Sequence, residues 1–339
     1  MKRRIFITCV VAFCLTSSSF AQMKKVGQSG MTYLSISLSA RESAMGAAGI
    51  AGKAGPQSLF YNPASLTESP GFSMALNQVN WLADTHIIGM GAAWSSRRFG
   101  SFGLDLIYVD YGDIMGTRRV DKSVDARGYT LTGNLNIQDY AIGLSYAYPV
   151  NDRFSFGGKF KIVHEDLGTA PIAVEVIDQD NEIYRMEERE WKLSHWGLDV
   201  GAFYKTGFKD LALAVAFLNY STDMQYWREV FQMPLVLKMG LAMDVLKVFE
   251  NNEHIQLNMA IDALHPIDYE ERVHLGAEFV YMNVVALRTG YQFNHDVENF
   301  SAGFGLMFQF QGVEGSLDYA YTSAEYFENV NRFSLGFHF

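Results

Sequence analysis

Cysteine is almost missing from this chain. There are 2 in 339 residues, Cys9 and Cys14, and both precede the export cleavage site expected after Ala21. The remainder therefore has no thiol, which excludes disulfide staples, thiol catalysis and thiolate metal sites. Proline is scarce, with 7 residues, so long elements can run without interruption. Basic residues are the minority, 27 Lys and Arg against 37 Asp and Glu. Loss of Lys2, Arg3 and Arg4 with the leader leaves 24 against 37. That balance argues against binding nucleic acid or another polyanion. After residue 21 no apolar run is long enough for a transmembrane helix.

The first residues carry an export signal. Met1-Lys2-Arg3-Arg4 is basic, Ile5 to Leu15 is apolar, and Ser19 and Ala21 are small at the −3 and −1 positions. The reading is a signal peptide over 1–21, cleaved after Ala21. A lipoprotein signal at Cys14 is weak because bulky Phe13 precedes it.

Aromatics and glycine are abundant, with 25 Phe, 18 Tyr and 30 Gly. The last nine residues show how they are used. Phe333, Leu335, Phe337 and Phe339 alternate with Arg332, Ser334, Gly336 and His338, a period of two that makes one strand face entirely apolar. A soluble sandwich needs a second layer over such a face, whereas a barrel in a bilayer needs none. Fourteen alternating segments follow one another, at roughly 72–80, 86–95, 101–111, 136–149, 153–166, 195–205, 210–219, 234–245, 254–263, 272–281, 285–292, 300–310, 313–321 and 331–339. Joints after even-numbered segments are short. Those after odd-numbered ones are mostly long, notably 112–135, 167–194 and 220–233. This is the loop asymmetry of outer-membrane barrels, and an even count places both ends of the sheet on the periplasmic side. The expected fold is a 14-stranded antiparallel transmembrane β-barrel over 71–339, in the outer membrane of a Gram-negative-type bacterium and surrounded by its lipids. Residues 22–70 are small and weakly helical. They read as an N-terminal plug with short helices, the alternative being a periplasmic extension.

Three early runs, Ser39-Ala40-Arg41-Glu42-Ser43-Ala44-Met45-Gly46-Ala47-Ala48-Gly49, Phe60-Tyr61-Asn62-Pro63-Ala64-Ser65-Leu66 and Asn80-Trp81-Leu82-Ala83-Asp84, together with later ones such as 237–245, 260–266, 287–291 and 332–336, resemble the PorV/PorQ family. Its members are related in fold to the FadL fatty-acid channels. The resemblance spans nearly all of the chain after the leader, in family order. It implies fourteen strands, an N-terminal plug, and a non-enzymatic part in type IX secretion, with exported proteins or secretion subunits as partners. The alternative it leaves open is a FadL-like channel for hydrophobic small molecules, with an apolar pocket beside the plug and a lateral opening at a strand kink such as Gly157-Gly158.

No catalytic constellation emerges. Gly143-Leu144-Ser145-Tyr146-Ala147 lacks the second glycine of a nucleophile elbow and lies within a strand. His164-Glu165 is not followed by the second histidine of a zinc-protease helix. No metal site and no cofactor are expected. By alternation Asp105, Lys159, Lys161, Asp199, Lys238, Asp262, His274, Glu278, Arg288, Glu314 and Asp318 point into the lumen, where mixed charges mostly pair with one another and with the plug. Lys159, Asp199, Lys238, Glu278 and Arg288 are the candidates for ligand contact, and a three-residue turn at Met282–Val284 sets Glu278 opposite Arg288. Arg41, Asn62 and Pro63 are the family-matching plug positions, read as structural. Asp178, Asp180, Glu182, Glu187, Glu188 and Glu190 form an acidic outer loop, a candidate surface for a protein partner.

Overall fold

The computed structural model describes residues 27–52, 55–178, 183–249, 254–325 and 327–339. The leader assigned to 1–21 lies outside them. Fourteen antiparallel strands form a closed barrel. In chain order they are β1 (Gly71–Asn80), β2 (His86–Ser96), β3 (Gly100–Asp110), β4 (Gln138–Pro149), β5 (Phe154–Asp178), β6 (Ile183–Lys205), β7 (Ala212–Tyr220), β8 (Val236–Asp244), β9 (Ile255–Pro266), β10 (Arg272–Tyr281), β11 (Val285–Phe293), β12 (Glu298–Phe310), β13 (Val313–Ala324) and β14 (Val330–His338). Each pairs with its neighbours in sequence, and β14 pairs with β1 from Ser73↔His338 to Asn80↔Asn331. Closure leaves no free sheet edge in the wall.

Alternation decides which way each residue faces. On β1, Phe72, Met74 and Leu76 are exposed outside while Ser73 and Asn77 are buried inside. On β14, Phe333 is 44% exposed, whereas Arg332 and Ser334 are each 1% exposed. The same inversion runs around the wall: large apolar side chains outside, polar and small ones within. Only hydrocarbon satisfies such an exterior without a further protein layer.

The described residues between 27 and 70 fill the lumen. The segment begins at the long-loop end, where the Gly30 amide donates to the Gln232 carbonyl at 3.0 Å and the Ser29 hydroxyl donates to Asp268 at 2.6 Å. It descends through α1 (Ala40–Ala44) and the 3-10 turns Pro56–Phe60 and Pro63–Glu68. At the short-turn end Lys205 pairs with Glu68. Ala40, Ala44, Ala48 and Ala64 are all 0% exposed.

Glycines in the wall let this segment approach closely. A Cβ on Gly290 would lie 2.0 Å from the Gly46 nitrogen, and one on Gly201 would lie 2.1 Å from the Asn62 Oδ1. Gly157 has the same use, since a Cβ there would lie 2.7 Å from the Ala64 nitrogen. The expectation of a kink at Gly157-Gly158 is therefore corrected. Both residues pair in unbroken register with Ala147 and Tyr146 on one side and with Gly201 and Val200 on the other. The wall is irregular elsewhere, between Leu198 and Val200 of β6 opposite β7, where Asn219 adopts φ 64.

The expected loop 167–194 is also corrected. Past a ladder irregularity after Asp166, β5 and β6 go on pairing with each other, Thr169 against Glu190 and onward to Asp178 against Ile183. Both faces of a free-standing hairpin are wet, so its sequence lacks the alternation that marks the wall. A second hairpin, Ile114–Arg119 with Tyr129–Leu135, lies inside the expected loop 112–135.

Replacing Gly290 with valine should displace α1 and its following turn at a cost of about 1–3 kcal/mol. The readouts are a lower unfolding temperature and faster proteolysis of the N-terminal segment. Gly158→Ala meets nothing closer than 3.5 Å and should leave both unchanged.

Candidate functional site: the filled lumen and its chamber

Inward positions on β10, β11 and β13 build the ionic centre of the lumen. The three-residue turn after Tyr281 contains Met282 and Asn283 at φ 51 and 55, the left-handed geometry that tight hairpins require. It brings Glu278 of β10 opposite Arg288 of β11. The Arg288 guanidinium donates to Glu278 at 2.7 Å and to Asp318 of β13 at 2.7 Å. From the segment inside, Arg41 donates to both Glu278 oxygens at 2.9 Å and to Glu42 at 3.0 Å. Asn258 adds a further donor to Glu278 at 2.9 Å. One carboxylate thus joins helix and wall. A buried carboxylate so surrounded is compensated by two guanidiniums, and removal of either side leaves an uncompensated charge.

Most of the other predicted positions hold the N-terminal segment or the wall through contacts of their own. Lys159 pairs with Asp105 at 2.8 Å and donates to the Leu59 carbonyl at 2.7 Å. Lys161 pairs with Asp199 at 2.7 Å, and Asp199 also accepts the Asn219 amide at 2.7 Å, which stabilises the wall irregularity. Asp262 accepts the amides of Gly49 and Ile50 at 2.8 and 3.1 Å. Asn62 accepts the Ala64 amide at 3.1 Å and donates to the Ala202 carbonyl at 3.3 Å, with Pro63 opening the next turn. Glu314, expected in the lumen, is exposed at the short-turn mouth.

Arg332 was passed over as a site residue in the sequence. It is 1% exposed and donates to Ser37, Thr322 and Glu298 at 2.9, 2.7 and 2.7 Å, with Trp81 beside it. Its place on the polar face of the terminal strand was the available signal. Glu187, Glu188 and Glu190 are exposed on the projecting hairpin. The Asp178 side chain, Asp180 and Glu182 lie outside what the structure describes. Gly143–Ala147 lies within β4, and His164 stacks on Tyr140.

Lys238 departs from the expected pairing. It is half-buried and makes neither a hydrogen bond nor an ion pair with any described residue, while Asp262, the carboxylate that attracts it, accepts the Gly49 and Ile50 amides through Oδ2 and leaves Oδ1 buried without a hydrogen bond to any described residue. It lines a chamber of about 160 Å³ between the N-terminal segment and the outer half of the wall. Leu34, Ile36, Leu38, Phe60, Leu218 and Leu264 form the apolar side of this chamber. Lys238, Arg272, His274 and Gln292 form a polar side, with His295 at the rim. At the short-turn end lie two open clefts of about 810 and 680 Å³, both reaching Arg41. Neither shares a lining residue with the chamber. A cleft of about 740 Å³ at the long-loop end does, through Asp268.

His295 sits in the loop between β11 and β12. Its Nδ1 accepts the Glu298 amide at 2.9 Å, and burial together with the nearby Arg272 charge pushes the imidazole down to about 4. An unfolded chain takes up this proton near 6.5 while the folded chain does not, so stability falls as pH drops between those values. His295→Asn should remove that share of the slope, measured as unfolding temperature against pH. Glu278→Gln should cost about 3–5 kcal/mol by stranding Arg41 and Arg288. Lower thermal stability and higher single-channel conductance in planar bilayers would report it.

No protein-family model matches the chain, and no curated protein matches it. Solved structures do. The CymD monoaromatic hydrocarbon channel superposes with a TM-score of 0.55 at 14% identity, covering 92% of this chain and 99% of that one. The Pseudomonas putida toluene transporter TodX gives 0.56 at 14% identity, covering 87% and 96%. A Pseudomonas aeruginosa FadL homologue gives 0.51 at 11% identity, covering 86% and 95%. At such identities the likeness establishes the architecture: this chain folds as a closed 14-stranded barrel of the FadL type.

Proposed function

We propose that the protein is a non-enzymatic outer-membrane channel for small hydrophobic or amphipathic molecules. The observation that carries this reading is the chamber. It has an apolar wall, adjoins a cleft at the long-loop end, and is separated by the Arg41–Glu278–Arg288 centre from the clefts at the other end. A ligand enters from outside and waits above a polar lock. Passage then requires the N-terminal segment to shift, because the lumen beside it is filled. The architectural likeness to proteins described as a hydrocarbon channel and a toluene transporter agrees with this reading.

The second reading follows the PorV/PorQ resemblance: a secretion component that binds exported proteins. Its support is the motif series and the projecting β5–β6 hairpin, whose charged outer strand is exposed. Among the described residues its acidic side chains make surface pairs, such as Arg185 with Glu187 at 3.3 Å, which leaves them available to a partner.

Proteoliposomes carrying the full chain should take up radiolabelled toluene or phenylacetate faster than empty vesicles, and Glu278→Gln should raise the rate further. Equal rates in all three would overturn the channel reading. Mild-detergent purification from native outer membrane, followed by mass spectrometry, tests the alternative through stoichiometric exported proteins or secretion subunits.

A further inference from the structure

The loop after β7, residues 221–235, lies across the N-terminal segment at the outer mouth. It folds back on itself where Met224 pairs with Phe231 and Gln225 with Val230. The Phe231 ring covers Gly30 so closely that a Cβ there would lie 2.3 Å from it. Gln232 accepts the Gly30 amide at 3.0 Å. Met224 and Met233 are buried in one apolar cluster with Met31 and Tyr33. The outer end of the segment is therefore held under this loop.

A hydroxyl fastens the loop to the wall. Tyr226 donates to Glu165 of β5 at 2.5 Å, and Arg189 of the projecting hairpin donates to the Tyr226 carbonyl at 3.1 Å. Glu165 stands directly opposite Asp139 of β4, and such residues have Cβ atoms about 4.5–5.5 Å apart. Asp139 is 0% exposed. One of its oxygens accepts the Tyr111 hydroxyl at 2.5 Å, and the other is buried with no hydrogen bond to any described residue.

No described cation pairs with either carboxylate. The groups turned toward them are the hydroxyls of Tyr111, Tyr226 and Tyr33, the last donating to the Tyr140 carbonyl at 2.9 Å. Lys192 of β6 pairs with Asp166 at 3.4 Å on the other face of the sheet, where His164 bonds Ser194. Arg189 lies over the rings of Trp191 and Trp227. Lys161, deeper in the lumen, is paired with Asp199. His195 of β6 bonds Thr222 of the loop at 2.9 Å and is the remaining titratable group that touches it from the wall. Two acids buried face to face without a cation do not both ionise readily.

The pair lies beyond the apolar band of the bilayer. On the outward face at this level His86, Asp110, Gln138, Asp166 and Lys192 form one row across five paired strands. A polar and charged outward row excludes hydrocarbon there. Burial first, and Glu165 opposite, push the Asp139 carboxyl up from 3.8 to about 7. Its unbonded oxygen is the one free to carry the proton. Between those values the closed arrangement keeps a proton that an open one gives up, so raising the pH through that window removes stability from the closed form.

We propose that the loop after β7 is a proton-dependent clasp. With one proton on the Asp139–Glu165 pair it holds the outer end of the N-terminal segment; loss of that proton to water sets two like charges face to face and drives Glu165, with Tyr226 and its loop, away from Asp139. The cleft of about 740 Å³ that Ser29, Tyr226 and Phe231 line then widens.

The test is a distance between two nitroxide labels on the full chain in detergent, at Val230→Cys on the loop and Gln78→Cys on β1. No other cysteine follows residue 21. Double electron–electron resonance should give one narrow distance at pH 5 and a second, displaced population at pH 8. Asp139→Asn and, separately, Glu165→Gln should keep the narrow distance at both pH values, while His195→Gln should keep the shift. The same distribution at pH 5 and pH 8 in the unsubstituted background would overturn the clasp, even where a carboxylate variant fails to fold. A shift that persists in Asp139→Asn, or one lost in His195→Gln, would overturn the assignment to the carboxylate pair.

Discussion

Backbone hydrogen bonding in hydrocarbon is the constraint from which the rest of this structure follows. Each amide and carbonyl of the wall must find a partner within the protein, because lipid offers none. Pairing of β14 with β1 meets that demand at the last place it could fail. Phe72 and Phe339 exchange hydrogen bonds at 3.3 and 2.8 Å, so the ladder is bonded through to the terminal residue. Once the sheet is closed, inside and outside become different solvents. Alternation can then send Phe333 outward and Arg332 inward from adjacent positions.

A closed wall of polar interior faces creates a second problem. Charges such as Glu278, Arg288 and Asp262 are removed from water as soon as the lumen is filled, and they need specific partners. The N-terminal segment supplies them: Arg41 to Glu278, the Gly49 and Ile50 amides to Asp262, and the Leu59 carbonyl to Lys159. Filling and pairing are therefore one event. The glycines of the wall belong to the same arrangement, because these bonds form only where the segment's backbone can approach the strands. Gly290 and Gly201 provide that proximity where any side chain would collide.

The wall was legible in the sequence because its signal is local and periodic. Each strand carries its own alternation, and each short turn marks one end of the barrel. The Glu278–Arg288 pair was legible for the same reason, since a turn length fixes register. The free-standing part of the β5–β6 hairpin was not, because strands wet on both sides lose the period of two. Glycine was the other source of error. At Gly157 the missing side chain could mean a bend in the strand or space for a neighbour, and only the position of Ala64 decides between them. Lys238 was identifiable as inward-facing, but its lack of a partner depends on what Asp262 does with residues more than two hundred positions away.

That unpaired lysine changes how selectivity can arise here. A filled lumen with every charge neutralised would discriminate by shape alone, and one methylene in an apolar pocket contributes only about 1–3 kcal/mol of discrimination. A site with unsatisfied donors discriminates more sharply, because the wrong ligand leaves them desolvated and unpaired. Lys238, without a hydrogen bond to any described residue, has this character, whereas the Arg41–Glu278–Arg288 centre is saturated. The half-buried lysine and the saturated ionic centre are thus different groups of charges, and the same N-terminal segment runs past both. Leu34 and Leu38 line the chamber, while Arg41, three residues after Leu38, holds the lock. The chamber wall and the lock are therefore built on one short stretch of backbone, and the turn from Leu38 into α1 is what sets the distance between them.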